Sequence, residues 1–266
     1  MPSNSDSLRI IVLGSGTSVG VPTIGCHCEV CRSLDPRDNR LRPSILVQYD
    51  GRNVLVDTTP DFRFQALRAG IDRLDAILFT HAHADHLMGL DDVRPINAHQ
   101  RAPIPLYGSP DTIASIKRCF GYAFDGKQTE SSIPKLVIHE LDGKPFDLFG
   151  LRITPIPVMH GDRQIYGFRF DDYAAYLTDQ SDIPAESIEK LRGLDVLFLD
   201  ALRHRLHRTH STVERALQFV AEIAPRRAYF THICHDLAHE ITESTLPPHV
   251  RLAYDTLDLT IGRRAR

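Results

Sequence analysis

No apolar run in this chain reaches the ~18–20 residues a membrane-spanning helix needs, so no such helix is expected. The opening Met1-Pro2-Ser3-Asn4-Ser5-Asp6-Ser7 is polar and leads at once into a strand-like run, unlike a secretory signal. We expect 1–7 to be a disordered tail and the chain to be cytoplasmic. Gly/Ser- or Pro-rich linkers are absent, which favours one domain over 8–266 rather than two small ones. There is no surplus of positive charge either: the formal net charge is −3, which argues against a general nucleic-acid surface while leaving room for a local basic cleft. Sequence repeats and low-complexity tracts are missing. The five cysteines are an odd number and three are too close together for unstrained pairing, so a disulfide scaffold is excluded.

What remains is an ordinary globular composition, 42% apolar and 24% charged over 266 residues. Strand-like runs rich in β-branched residues are read at 8–13, 44–49, 53–57, 76–80, 151–158, 165–170, 174–178, 196–200 and 227–231. Asp50-Gly51-Arg52 between the second and third is a hairpin signal. Helical spacing is read at 62–69, closed by Gly70, and at 112–120, 184–191 and 211–223. In the last, Val213, Ala216, Leu217, Val220 and Ile223 share one face, and Ser211 with Glu214 fits a capping box. The polar stretch 121–134 is expected to be a loop.

The chemistry gathers where strands end. His81, His83, Asp85 and His86 follow the apolar run 76–80 directly. Four such side chains in six residues cannot all point one way on a strand or helix, but in a turn they can splay around two neighbouring ions. His160, Asp179 and His232 each close another apolar run, which places them on the rim of a rigid sheet. Taken singly, His160 or His232 is more often an ordinary surface or core histidine. The density of the 81–86 cluster has no packing explanation.

His81-Ala82-His83-Ala84-Asp85-His86 resembles the H-x-H-x-D-H signature of the metallo-β-lactamase superfamily, and His160, Asp179 and His232 follow in that family's order. The resemblance runs from Leu8 to about Ile261. It implies a four-layer αββα sandwich of class α/β (α+β), with the site at one edge of the two sheets. It implies further that His81, His83 and His160 hold one metal, that Asp85, His86 and His232 hold another, and that Asp179 bridges both. Asp57 resembles the family's aspartate that steadies the ligand loop. Two ions ~3.5–4 Å apart need a shared anionic ligand and can produce a bridging hydroxide at neutral pH.

Cys26-x-Cys28-x2-Cys31 offers three thiolates to a structural zinc ion, which needs one more ligand. His235 is the choice, with His27 and Cys234 as alternatives; a reactive or merely buried cysteine cluster is the plainer reading. A cysteine triplet near the N-terminus with a late Thr231-His232-Ile233-Cys234-His235 segment resembles the phosphoribosyl cyclic phosphate phosphodiesterase group of the carbon–phosphorus lyase pathway. In that group zinc pins the N-terminal loop to the C-terminal ligand segment.

The expectation is therefore a metal-dependent phosphodiesterase acting on a small cyclic or nucleotide-like phosphodiester, with two catalytic zinc or manganese ions, one structural zinc, and a homodimer as a family-level expectation. Asp85 and His210 are the candidate catalytic residues. His210, beside the helix expected at 211–223, would contact phosphate or give the leaving group its proton; the plainer reading makes it only a neighbour of the helix cap. The run 203–208, with His204 and His207, would line an anionic pocket or be a solvated loop. Gly14-Ser15-Gly16-Thr17 lacks both the dinucleotide pattern and a Walker lysine, and is read as a tight turn bordering the site. Other enzyme readings are a nuclease of the tRNA 3′-processing type, for which we find no basic insertion, and a lactone or thioester hydrolase. A metal-binding partner protein without activity would be expected to lack ligands that are all present here.

Overall fold

The β-branched runs form strands that gather into two seven-stranded sheets. The structure is a computed structural model that describes residues 7–126 and 132–262. The first sheet contains β1 (Ser7–Gly14), β2 (Ser44–Tyr49), β3 (Arg52–Val56), β4 (Ala76–Leu78), β5 (Ile104–Gly108) and β6 (Leu136–Glu140). The second contains β7 (Phe146–Leu148), β8 (Leu151–His160), β9 (Arg163–Phe170), β10 (Ala174–Leu177), β11 (Val196–Asp200), β12 (Arg227–Thr231) and β13 (Val250–Leu252). The last strand, β14 (Asp258–Gly262), returns to pair antiparallel with β1, so the first sheet runs β14-β1-β2-β3-β4-β5-β6 and the second β13-β12-β11-β10-β9-β8-β7.

Each sheet changes character halfway. Strands β14 to β3 pair antiparallel, and β3 to β6 are parallel. Strands β7 to β10 are antiparallel, and β10 to β13 parallel. Asp50 and Gly51, both at positive φ (46° and 71°), make the tight turn between β2 and β3 and set the register Tyr49↔Arg52. The central strands are buried along their whole length: Ala174–Leu177 and Val196–Asp200 have no exposed residue. That is the run expected of parallel strands covered on both faces.

Between the sheets lies one apolar layer that includes Ile10, Val47, Val56, Leu78, Phe168, Tyr176 and Phe198. The outer face of the first sheet packs on α1 (Phe62–Ala69), α2 (Ala84–Leu87), α3 (Arg94–Gln100) and α4 (Pro110–Cys119) through Phe62, Leu87, Ile96, Ile113 and Ile116. The outer face of the second packs on α5 (Ala185–Lys190) and α6 (Val213–Ile223) through Ile188, Phe219 and Val220, and α7 (His239–Thr245) lies against β13. The result is the αββα sandwich.

Several expectations need correction. Helix α6 begins at Val213, not Ser211; Thr212 caps it by accepting from Arg215 N–H, and Glu214 pairs with His204 instead of closing a capping box on Ser211. Ser7 already pairs with Gly262 in β1, while 1–6 lie outside the described residues. Of the stretch 121–134, Gly121–Ala123 is a 3-10 turn, and 127–131 lie outside the described residues. Sequence reading missed β5, β6, β7, β13, β14, α2, α3 and α7. Proline interrupts β5, β6 is largely exposed, and β7 and β13 are three residues each, so periodicity had little to act on. No described helix is long and apolar enough to cross a membrane.

Gly89 closes the turn after α2, and an added Cβ would stand 1.9 Å from the Thr59 carbonyl oxygen. Gly89→Ala should cost about 1–3 kcal/mol as an overpacking change, visible as a drop of several degrees in Tm. Gly121→Ala, with nothing near its added carbon, should leave Tm unchanged. Equal Tm for the two variants would contradict this packing.

Candidate metal centre

The sheets deliver their polar residues to one edge, at the carboxyl ends of strands, where open α/β sheets place ligand sites. His81 follows β4 and Thr80; His160 ends β8; Asp179 follows β10, and His232 follows β12. Asp57, Asp179 and His232 all adopt the left-handed backbone, at φ 64°, 58° and 59°. For residues other than glycine each such conformation costs on the order of 1–3 kcal/mol, and it persists only where the surroundings enforce it. The kink turns each side chain off the strand axis and into the site.

Two groups result. His81, His83 and His160 form one, and Asp85, His86, Asp179 and His232 the other, with candidate ligand atoms in each group within 4.8 Å of one another. Asp179 stands between them: its Oδ2 lies 3.1 Å from His86 Nε2 and its Oδ1 3.2 Å from His232 Nε2, and it also groups with His160. Asp85 Oδ2 lies 3.2 Å from His86 Nε2. The structure thus brings together every residue that the resemblance assigned to the pair of ions.

Neighbouring groups set the orientation of the rings. Asp57 accepts from Thr80 N–H and Thr80 Oγ1–H, and its Oδ2 lies 2.8 Å from His86 Nδ1, so His86 presents Nε2 to the centre. His81 Nδ1 meets Thr80 Oγ1, and His160 Nδ1 donates to the Thr209 carbonyl at 2.8 Å. Gly16 bridges to Ile233, Ser15 O accepts from Ile233 N–H, and Asp255 holds Ser15 in turn. The stretch 14–17, read from the sequence as a tight turn, is instead the end of β1 followed by the bridge at Gly16, with the turn at 18–19, and it buttresses the His232 segment.

The electrostatics divide the groups. Burial pushes the His81 imidazole well below its ordinary pKa, aided by the charge of nearby His86. Burial also opposes charge on His86 and His232, but the Asp179 carboxylate outweighs it, lifting His86 well above its ordinary value and His232 to about 10. Asp179 resists the upward push of burial because His232 and His86 face it, and it stays well below the carboxylate range. His86 Nε2 and both His232 nitrogens are buried without a well-formed hydrogen bond. Orphaned imidazole nitrogens facing two carboxylates form a donor set that fits divalent cations, which would take the place of the protons those rings otherwise hold.

The second cluster lies nearby in sequence and apart in role. Sγ of Cys26, Cys28 and Cys31 stand 3.2, 3.5 and 3.4 Å from His235 Nδ1. A tetrahedral zinc with bonds of ~2.0–2.3 Å separates its ligands by about 3.5 Å, so these four atoms fit it. His27 is exposed and outside the group, and Cys234 is buried, its sulfur accepting from Asp236 N–H. Buried Arg40 holds this loop to the C-terminal segment: it pairs with Asp38 at 2.8 Å and donates to the carbonyls of Cys234 and Leu237.

His210 lies beside the second group. Its Nδ1 is 2.6 Å from Asp200 Oδ2, and its ring stacks on His232 with centroids 4.5 Å apart. Asp200, fully buried, was missed in the sequence; like Asp179 it is an acid closing an apolar strand, and that is the signal that would have found it. At the start of α6, Val213 N–H donates to Arg203 O and Arg215 N–H to Thr212 Oγ1, so neither of these amides is free for phosphate. In the 203–208 run Arg205 pairs with Asp236, Arg208 with Asp162 and His204 with Glu214, while Arg203 donates to the Arg205 carbonyl and has no ion pair among the described residues.

Residues 52–233 match the family model described as "Beta-lactamase superfamily domain". The chain belongs to the β-lactamase superfamily and is a metal-dependent hydrolase of the metallo-β-lactamase fold. A solved structure described as "a New Diphosphatase from the PhnP Family" is 51% identical, superposes with a TM-score of 0.90, and is matched over 96% of this chain and 97% of that one. Within the superfamily the protein belongs to that PhnP group. Among curated proteins, "Octanoyltransferase" of Porphyromonas gingivalis is 41% identical over 97% of this chain but 52% of its own length. "Ribonuclease Z" of Bradyrhizobium diazoefficiens is 30% identical over 52% of this chain and 47% of its own length. The chain spans about half the length of these curated relatives.

The Cys31 N–H points at the Cys28 sulfur and draws its thiol down to about 7, whereas burial pushes Cys31 up to about 11. In chelator-treated protein at pH 7, iodoacetamide should therefore label exposed Cys28 before Cys31, and metal should protect both. Peptide mass spectrometry showing Cys31 labelled first would contradict this account.

Proposed function

We propose that the protein is a metal-dependent phosphodiesterase for a small cyclic or nucleotide-like phosphodiester. The observation that carries this reading is the Asp200–His210 pair set against two adjoining ligand groups, with Asp179 in the second and also grouped with His160 of the first. His81, His83 and His160 would hold one divalent cation, Asp85, His86 and His232 the other, and Asp179 both, with a structural zinc on Cys26, Cys28, Cys31 and His235. Bound there, zinc or manganese ions would neutralise phosphoryl charge and lower the pKa of water.

The chain's own residues do the rest. Asp200 accepts the Nδ1 proton of His210 and fixes the ring, which leaves Nε2 to carry a proton to the departing oxygen. Stacking on His232 holds that nitrogen beside the metal ligands. Asp57 and Thr80 keep the 81–86 turn in one conformation, so the site needs little rearrangement when substrate enters. The relatives' names suggest two further readings, a ribonuclease and an enzyme acting on an octanoyl group. The net charge of −3 favours a small substrate over RNA.

A panel of bis(p-nitrophenyl) phosphate, a 2′,3′-cyclic nucleotide, an octanoyl thioester, a lactone and precursor tRNA, run on zinc- and manganese-loaded protein, separates these readings. Turnover should be confined to the small phosphodiesters; cleavage of the thioester, the lactone or tRNA alone would overturn the proposal. His210→Ala should lower kcat by about 10²–10⁴ for an alkoxide leaving group, the range for a lost general acid, and much less for p-nitrophenolate, which departs without a proton. Equal losses on both would remove His210 from the acid role.

A further inference from the structure

The cysteine loop places its three sulfurs in unequal surroundings. Cys28 is exposed, Cys26 half-buried and Cys31 buried. Cys31 N–H donates to Cys28 Sγ at 3.4 Å, and Arg32 N–H donates to the carbonyls of Cys28 and Glu29, so residues 28–32 close one tight turn. Side chains three residues apart lie over one another in a turn of this kind, and the two sulfurs stand within 4.8 Å of each other. Cys31 Sγ lies on the inner side, accepting from Thr23 N–H. This is the layout of a dithiol that can close: one sulfur open to solvent with an amide aimed at it, and a second behind it to resolve the first. Cys26 belongs to the preceding turn, its N–H donating to Thr23 O, and a bridge from it to Cys28 across a single residue would be strained.

All three sulfurs converge on His235 Nδ1, which makes that ring the joint between the loop and the C-terminal segment. Three residues earlier His232 holds its left-handed backbone at φ 59°, a conformation that persists only where its surroundings enforce it. Arg40 ties the same two segments independently, through Asp38 and the carbonyls of Cys234 and Leu237. The sulfur joint can therefore open while the fold stays closed.

Resting on the assignment of a zinc ion to Cys26, Cys28, Cys31 and His235, we propose that Cys28 and Cys31 are a redox modification site, oxidised by a hydroperoxide to a disulfide that expels the zinc and frees His235 from the loop. With hydrogen peroxide, the Cys28 sulfur attacks one oxygen, the O–O bond breaks, and the departing hydroxide takes a proton and leaves as water; Cys28 becomes a sulfenic acid. The Cys31 sulfur then displaces the sulfenic oxygen, which leaves with a proton as a second water. The two sulfurs have given two electrons to the peroxide. Cys26 and His235 remain, and two ligands do not close a tetrahedral zinc site. A dithiol reductant returns the two electrons and lets zinc rebind.

The test titrates the reduced, zinc-loaded chain with hydrogen peroxide beside a chromogenic chelator that leaves the resting protein intact. The first zinc released should track disulfide formation one for one. Trypsin leaves all three cysteines in one peptide, 10–32; after alkylation, fragmentation should show it two hydrogens lighter across 28–31, with Cys26 alkylated. Amide exchange in 231–237 should rise several-fold, and dithiothreitol with added zinc should reverse all three changes. Cys119→Ser, outside both clusters, should leave the release curve unmoved. A disulfide involving Cys26, zinc release without a disulfide, unchanged exchange in 231–237, or a loop still reduced at peroxide levels that oxidise exposed Cys119 overturns the proposal. A reduced chain that takes up no zinc at the loop yet closes Cys28 to Cys31 would sink the zinc assignment and leave the redox pair standing.

Discussion

The structure depends on a buried carboxylate that cannot be satisfied by either sheet alone. Asp179, carried by the second sheet, faces His86 from the first and His232 from the second, at 3.1 and 3.2 Å. A carboxylate in this position is tolerable only with opposing charge on both sides. The two sheets must therefore meet in one register at that edge, and the apolar layer between them supplies the rigidity that keeps them there. Asp57 applies the same logic one layer out, anchoring Thr80 and His86.

Part of this was legible in the sequence. The 81–86 cluster has a density that packing does not explain, and His160, Asp179 and His232 each close an apolar run, so their convergence on a sheet edge could be argued from strand periodicity. Asp200 carries the same signal and was passed over because no ligand role awaited it. The left-handed backbone at Asp57, Asp179 and His232 could not be located from the sequence, since Asp and His adopt it more readily than most residues but only tertiary contacts decide where they do so. The start of α6 was misplaced because Ser211 and Thr212 are both competent caps, and only the contacts of Ser211 N–H with Gln180 O and Thr212 with Arg215 N–H decide between them.

The fold belongs to a whole superfamily, and so accounts for a metal-dependent hydrolase without explaining what the protein cleaves. Discrimination has to come from residues around that shared centre. Around it lie the Asp200–His210 pair on one side and, on the other, a cavity lined in part by Arg118 and Arg163. The cysteine loop, tied down by Arg40 and His235, stiffens the segment carrying His232 and has no surface on that cavity.

The central claim is that Asp179 is the shared ligand of two cations. Anomalous diffraction from crystals grown with zinc or manganese tests it most directly. The account predicts two peaks flanking the Asp179 carboxylate, ~3.5–4 Å apart, one contacting His81, His83 and His160 and the other Asp85, His86 and His232. A single peak, or a pair with Asp179 bound to only one ion, would contradict it.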